Sequence, residues 1–220
     1  MLAKRLVPSM PVPARLGGSL ASELSERAQK LDDAGADELL IDLSEALDGN
    51  REGALEVLGK IAGTVSIPVI ALGARDLPTA QALIDAGADR LVVRWEADHP
   101  WILSASERWG TTSVVSLLAA HEACPANARQ SCALGAGELM VRVDPARPFD
   151  PQALREVSES VSVPIMVAGP FGAPEHARHA LLEGRADAVV VPLDQVEAAG
   201  GVIELERYLS AAGIVVRGAS

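Results

Sequence analysis

"ADELLIDL" (36–43), "ADRLVVRW" (88–95), "AGELMVRV" (136–143) and "ADAVVVPL" (186–193) align without a gap and recur about every 50 residues. Each follows an Ala- and Leu-rich stretch that stops near a glycine: "KLDDAG", "ALIDAG", "SCALGAG" and "ALLEG". A helix, a glycine stop and a short β-branched run form an αβ unit. The other half of the period also recurs, since "TVSIPVIALG" (64–73) resembles "SVSVPIMVAG" (160–169), and "VPSM" (7–10) and "TTSVVSLL" (111–118) supply two further strands. Eight apolar strands alternating with eight helices imply a parallel sheet covered on its outer face. Four repeated quarters favour a closed (β/α)8 TIM barrel over an open doubly wound sheet. No linker or low-complexity stretch divides the chain, so one domain over 1–220 is expected.

Closure gives the repeats a geometry. Side chains alternate between lumen and helices along a strand. Glu38, Arg90, Glu138 and Ala188 form a ring at strand entry. Leu40, Val92, Met140 and Val190 follow, then Asp42, Arg94, Arg142 and Pro192 at strand exit. All three rings share one parity. Charges turned toward apolar helices would be buried at high cost, whereas in the lumen they can pair with one another and with Arg5. At the exit, closure of the lumen by Asp42 pairing with Arg94 or Arg142 is expected. The alternative is an anion held by the two arginines. The prolines at 8, 11 and 13 are expected to end the first strand, because proline lacks a backbone donor.

The 220 residues are 49% hydrophobic and only 3% aromatic, so the core is aliphatic. Acidic residues number 30 against 19 basic, for a net charge of −11. That surface repels nucleic acid and anionic lipid. No apolar run is long enough for a bilayer, and the N-terminus lacks a signal-peptide core. Cys124 and Cys132 lie in one expected helix without metal-binding spacing, which fits a reduced, cytoplasmic protein. No metal or cofactor is expected. His99, His121, His176 and His179 read as solvated helix positions.

Together, "MLAKRLVP", "AGADEL", "SIPVIALG", "AGADRLVV", "GAGELMV", "SVSVPIMVAG", "LEGRADAVV" and "YLSAAGIVVR" fall in order along the whole chain. In that order they resemble the cyclase subunit of imidazole glycerol phosphate synthase, of histidine biosynthesis. The resemblance implies a (β/α)8 barrel that takes ammonia from a glutaminase docked at its bottom. At its top such a barrel cyclises a substrate carrying two phosphates, a lyase-type reaction. It also implies an acid/base pair of aspartates at the ends of strands one and five. Here those positions are Pro11 and Leu118, and neither can transfer a proton. A lysine implied after strand one is missing from "PARLGGS".

The implied phosphate loops are altered too. One is reduced to Leu72-Gly73-Ala74-Arg75, the other reads Ala168-Gly169-Pro170-Phe171-Gly172, and a serine after strand eight is Leu193. Gly73, Arg75, Gly169, Gly172, Arg94 and Arg142 remain as anion-binding candidates. Asp42 and Asp144 are the remaining candidate catalytic carboxylates, Asp144 matching a family aspartate. At the bottom the resemblance implies a gate of paired charges, matched by Arg5, Glu38, Arg90 and Glu138. Asp89 matches an acidic residue facing the glutaminase. Three readings follow. The chain is a pseudoenzyme that docks a glutaminase or a paralogous barrel, a barrel enzyme rebuilt for a small phosphorylated or carboxylate ligand, or a ligand-free minimal or engineered scaffold.

Overall fold

The computed structural model describes residues 3–95, 101–146, 149–169, 171 and 174–217. Its strands are β1 (Arg5–Pro11), β2 (Leu39–Asp42), β3 (Val69–Leu72), β4 (Arg90–Arg94), β5 (Val114–Leu118), β6 (Glu138–Arg142), β7 (Ile165–Ala168) and β8 (Ala188–Pro192). They pair in parallel in chain order, and β8 returns to β1, closing an eight-stranded barrel. The helices are α1 (Leu20–Asp33), α2 (Ser44–Gly49), α3 (Arg51–Ala62), α4 (Leu77–Asp85), α5 (Trp101–Trp109), α6 (Pro125–Ala133), α7 (Pro151–Glu159), α8 (Pro174–Leu182), α9 (Leu193–Ala198) and α10 (Val202–Ala211). Among the described residues this is ten rather than eight. Asn50 leaves helical geometry and caps α3, its side chain accepting from the Gly53 N–H. Gly200 and Gly201, both at positive φ, separate α9 from α10.

Two apolar layers form. Every second strand residue faces the lumen, where the even strands contribute Leu40, Val92, Met140 and Val190. Odd strands add Val7, Ile70, Val115 and Met166, with Leu72, Leu117 and Ala168 beyond them. The opposite parity, including Leu39, Ile41, Leu91 and Val93, packs against the helices. Such interleaved layers fill a TIM barrel rather than leaving a pore.

Contrary to the expectation that the prolines end it, β1 runs through Pro8 to Pro11. It lies between two strands, pairing Pro8 with Val191 and Pro11 with Asp42. Each proline removes one ladder donor, and the flanking pairs hold the rest of the strand in place.

The repeated Ala-Asp dipeptide has a structural use. Asp37, Asp89 and Asp187 each accept a backbone N–H from a neighbouring strand, those of Leu6 (2.9 Å), Val69 (2.8 Å) and Ile165 (3.0 Å). Each aspartate also donates its own N–H to the carbonyl of the same residue. The third repeat instead has Gly137, which keeps only the backbone half, donating to the Val114 carbonyl. A Cβ at Gly137 would run into the backbone carbonyl of Thr111. Urea unfolding should therefore show Asp187→Ala losing about 1 kcal/mol, the worth of one such bond. Gly137→Ala should lose about 2 kcal/mol or more, because the obstacle is backbone.

Candidate functional site

The bottom of the lumen is closed by charge. Arg5 donates through Nη1 to Glu38 Oε1 at 2.7 Å, and Arg90 through Nη1 to Glu38 Oε2 at 3.2 Å. Each arginine gives its Nη2 to a different oxygen of Glu138. The four side chains thus make a cycle of alternating sign, and Arg90 Nε also donates to the Thr112 carbonyl at 3.2 Å. The Glu138 side chain is only 2% exposed, while both arginines keep a small exposed fraction. Burial alone would lower the pKa of Arg5, but Glu138 and Glu38 outweigh it and hold the guanidinium above its ordinary value. Asp89 stands exposed beside this cycle, and its carboxylate is engaged by the Val69 N–H.

The top is open. Ser9, Pro11, Asp42, Met140, Arg142 and Gly169 are among the residues around a cavity of about 320 Å³ at the mouth of the lumen. The expected closing pair does not form: among the described residues no ion pair joins Asp42 to Arg94 or Arg142. Asp42 is instead turned toward the start of α2, where it accepts the Ser44 N–H at 3.0 Å. Arg142 is half-buried in the cavity wall. Arg94 is exposed and lines a second hollow, of about 310 Å³, with Ser44, Gly73, Arg75 and Trp101. Arg75 pairs there with Asp48 at 2.7 Å. On the outer side of Arg142, Asp144 and Phe149 border a cleft of about 620 Å³. Asp144 accepts the Ala146 N–H at 2.9 Å.

The loop after β7 has its donors committed. Gly169 gives its N–H to the Val190 carbonyl, and Phe171 gives its own to Gln195 Oε1 at 3.1 Å. A Cβ at Gly169 would sit 2.7 Å from the Phe171 nitrogen, so only glycine fits. The ring of Phe171 is buried in the outer core. Nothing in the sequence distinguishes Gln195, which is half-buried, from the other polar residues of the helices. Gly172 and His99 lie outside the described residues.

The two positions matched to an acid/base pair differ in direction. Pro11 borders the mouth cavity, whereas Leu118 is fully buried in the layer between strands and helices. Cys124 precedes α6 rather than lying in it, and both cysteines are free thiols. Burial pushes the Cys132 thiol above its ordinary pKa. Among the described residues no cluster of metal-ligating side chains occurs, and no helix is long and apolar enough to cross a membrane.

The family model of the histidine biosynthesis proteins matches residues 18–146, more than half of the chain. The chain belongs to that family. Of the floor cycle, Glu38, Arg90 and Glu138 lie within the matched segment, as do Asp42, Arg94 and Arg142 at the mouth. The family thus accounts for the histidine-biosynthesis character of the barrel as well as its architecture.

The floor cycle makes a stability prediction. Removing one member strands a buried charge, so Glu138→Ala should lose about 3 kcal/mol. Replacing Arg5, Glu38, Arg90 and Glu138 together by apolar residues of similar volume should cost less than that single change. Denaturant midpoints of the two variants, compared at equal m-value, check the order.

Proposed function

We propose that this histidine-biosynthesis-type barrel binds a small phosphate- or carboxylate-bearing ligand at its mouth and lacks the ring-closing chemistry of the cyclase subunits it resembles. One observation carries the reading. Arg142 is a half-buried cation in the wall of the mouth cavity, and among the described residues it has no ion-pair partner. A guanidinium presents several donors in a fixed fork that fits such anions. Its surroundings are concave and largely apolar, with Ser9 and Asp42 as the nearby polar groups. Arg94, Gly73 and Arg75 line the adjoining hollow and suit a second anionic group. Gly169 contributes less in this reading, because the Gly169 and Phe171 N–H groups already have acceptors. Asp42 and Asp144 are the carboxylates at the mouth, and both are engaged by local backbone N–H groups. With Pro11 and Leu118 at the matched positions, the acid/base pair that the resemblance implies is missing from those two places.

Titration calorimetry with inorganic phosphate and with a small dicarboxylate tests this. Binding should weaken at least tenfold in Arg142→Ala, about 1.4 kcal/mol, and should be partly kept in Arg142→Lys. The chain mixed with ammonia and the two-phosphate cyclase substrate should show no turnover. Absence of binding to either anion, or turnover at a rate typical of enzymes, overturns the reading.

A second reading concerns the bottom, where the closed charge cycle occupies the positions that the resemblance matches to an ammonia gate. In it the barrel is a non-catalytic subunit docked to a glutaminase or to a paralogous barrel, with Arg5, Glu38, Arg90, Glu138 and Asp89 at the contact. Sedimentation of the chain with the glutaminase of a histidine pathway should show a complex, weakened in Asp89→Lys. Two independent boundaries would rule it out.

A further inference from the structure

The mouth cavity is bordered by two charges of opposite sign that do not meet. Asp42 and Arg142 both line it, and among the described residues no other charged side chain does. They stand on β2 and β6, which lie opposite each other in the closed ring of strands. One Asp42 oxygen accepts the Ser44 N–H at 3.0 Å, and among the described residues the carboxylate has no other partner. Arg142 has none there, so its guanidinium donors are uncommitted. On β1, Pro11 pairs with Asp42 and Ser9 with Leu40, which sets Ser9 one lumen-facing position below Asp42 on the adjoining strand. The Ser9 hydroxyl also borders the cavity and is uncommitted among the described residues. Beneath these three groups lie Leu40, Met140 and Val190, an apolar ring that is almost fully buried.

Each of these features selects against a class of ligand. A second negative charge on the ligand meets the carboxylate of Asp42. A cation without an acid group leaves the Arg142 donors unused. A wholly apolar molecule covers both charges and gives neither a partner, which is costly. One molecule carrying an ammonium beside a carboxylate gives each protein charge its complement. The guanidinium takes the carboxylate through two parallel N–H bonds. The free Asp42 oxygen and the Ser9 hydroxyl oxygen each accept an ammonium N–H. The space that remains is apolar and lies below. The cavity volume of about 320 Å³ is at the small end of ligand sites and suits one such molecule.

We propose, resting on the reading of Arg142 as an anion site, that the mouth binds an α-amino acid with an aliphatic side chain. Its carboxylate lies on Arg142, its ammonium on Asp42 and Ser9, and its side chain on the ring of Leu40, Met140 and Val190. Asp42 and Arg142 do not pair across the lumen because the zwitterion occupies the gap between them.

The test is titration calorimetry of the full chain near neutral pH with leucine, with 4-methylpentanoate, which is leucine without the amine, with 3-methylbutylamine, which is leucine without the carboxylate, and with glycine. Leucine should bind at least tenfold more tightly than each of the other three. In Asp42→Asn the side-chain oxygen still accepts the Ser44 N–H, so the start of α2 is kept. Leucine should weaken there at least tenfold, while 4-methylpentanoate binds no less tightly than before. Leucine binding no tighter than 4-methylpentanoate, or unchanged in Asp42→Asn, overturns the ammonium site. Leucine binding no tighter than glycine overturns the side-chain site. If in those cases 4-methylpentanoate or inorganic phosphate still binds and is lost in Arg142→Ala, the anion site stands without the zwitterion. If no probe binds, both readings fall. Should the variant not fold, the comparison of leucine with 4-methylpentanoate on the wild type decides.

Discussion

Two arginines and two glutamates meet at the bottom of the lumen, and their pairing constrains how four of the eight strands are turned. Arg5, Arg90 and Glu138 begin β1, β4 and β6, and Glu38 immediately precedes β2. A slip of one residue in any of these strands would carry its charge into the apolar layer beneath the helices and reverse every side chain above it. It would also leave partners across the lumen unpaired. The cycle adds little net stability over apolar residues, since desolvation offsets much of the attraction. It acts instead against the wrong register, and the apolar layers of Leu40, Val92, Met140 and Val190 rest on it in the correct one.

That constraint is why so much of the fold is legible in the chain. Four aligned segments, three of them with a charge of alternating sign at the same strand position (Glu38, Arg90 and Glu138), admit one parity, and the parity assigns lumen and helix faces throughout. The Ala-Asp dipeptide adds a second regular signal, because its carboxylate and N–H together fasten each even strand to its predecessor. Its absence at Gly137 is legible only in three dimensions, where the Thr111 carbonyl takes the space. Local rules fail where neighbours on both sides outweigh them, as in β1. A proline is a poor strand residue by itself, yet β2 and β8 supply enough pairing to carry the strand to Pro11. The division of α2 from α3 and of α9 from α10 follows from Asn50 and the Gly200-Gly201 pair, which periodicity alone passes over.

The mouth is less legible than the floor for a geometric reason. At the floor four side chains converge on the axis and find their partners across it. At the exit, matching positions in the repeats do not guarantee contact, because each side chain meets a different connecting segment. Asp42 is taken by the first turn of α2, Arg142 remains at the lumen wall, and Arg94 opens on the hollow beside Trp101. A shared ring position thus leads to three different sets of contacts, although Asp42 and Arg142 border one cavity. The same effect acts in the loop after β7, where Gln195 from α9 takes the N–H that a loop of this kind would otherwise present to an anion. What is left at the mouth is a cation in a concavity, a feature of side-chain placement rather than of any motif.

Three buried glutamates show how differently this fold treats one chemical group. Glu138 is almost wholly enclosed, yet each of its oxygens has a guanidinium donor. Glu38 is held likewise by the same two arginines. Glu206 is enclosed to a similar degree, and among the described residues its Oε1 has no donor; burial, and after it the charge of Asp37, push it above the ordinary glutamate value. Burial alone therefore does not set the electrostatic surroundings of a carboxyl here; the donors it meets matter as much. The first two lie on the axis, where symmetry of the repeats brings arginines to them. Glu206 comes from the last helix, outside the repeated strands, and no repeat supplies its partner. The part of the chain that departs from the fourfold pattern is thus where a buried acidic group meets no arginine supplied by the repeats.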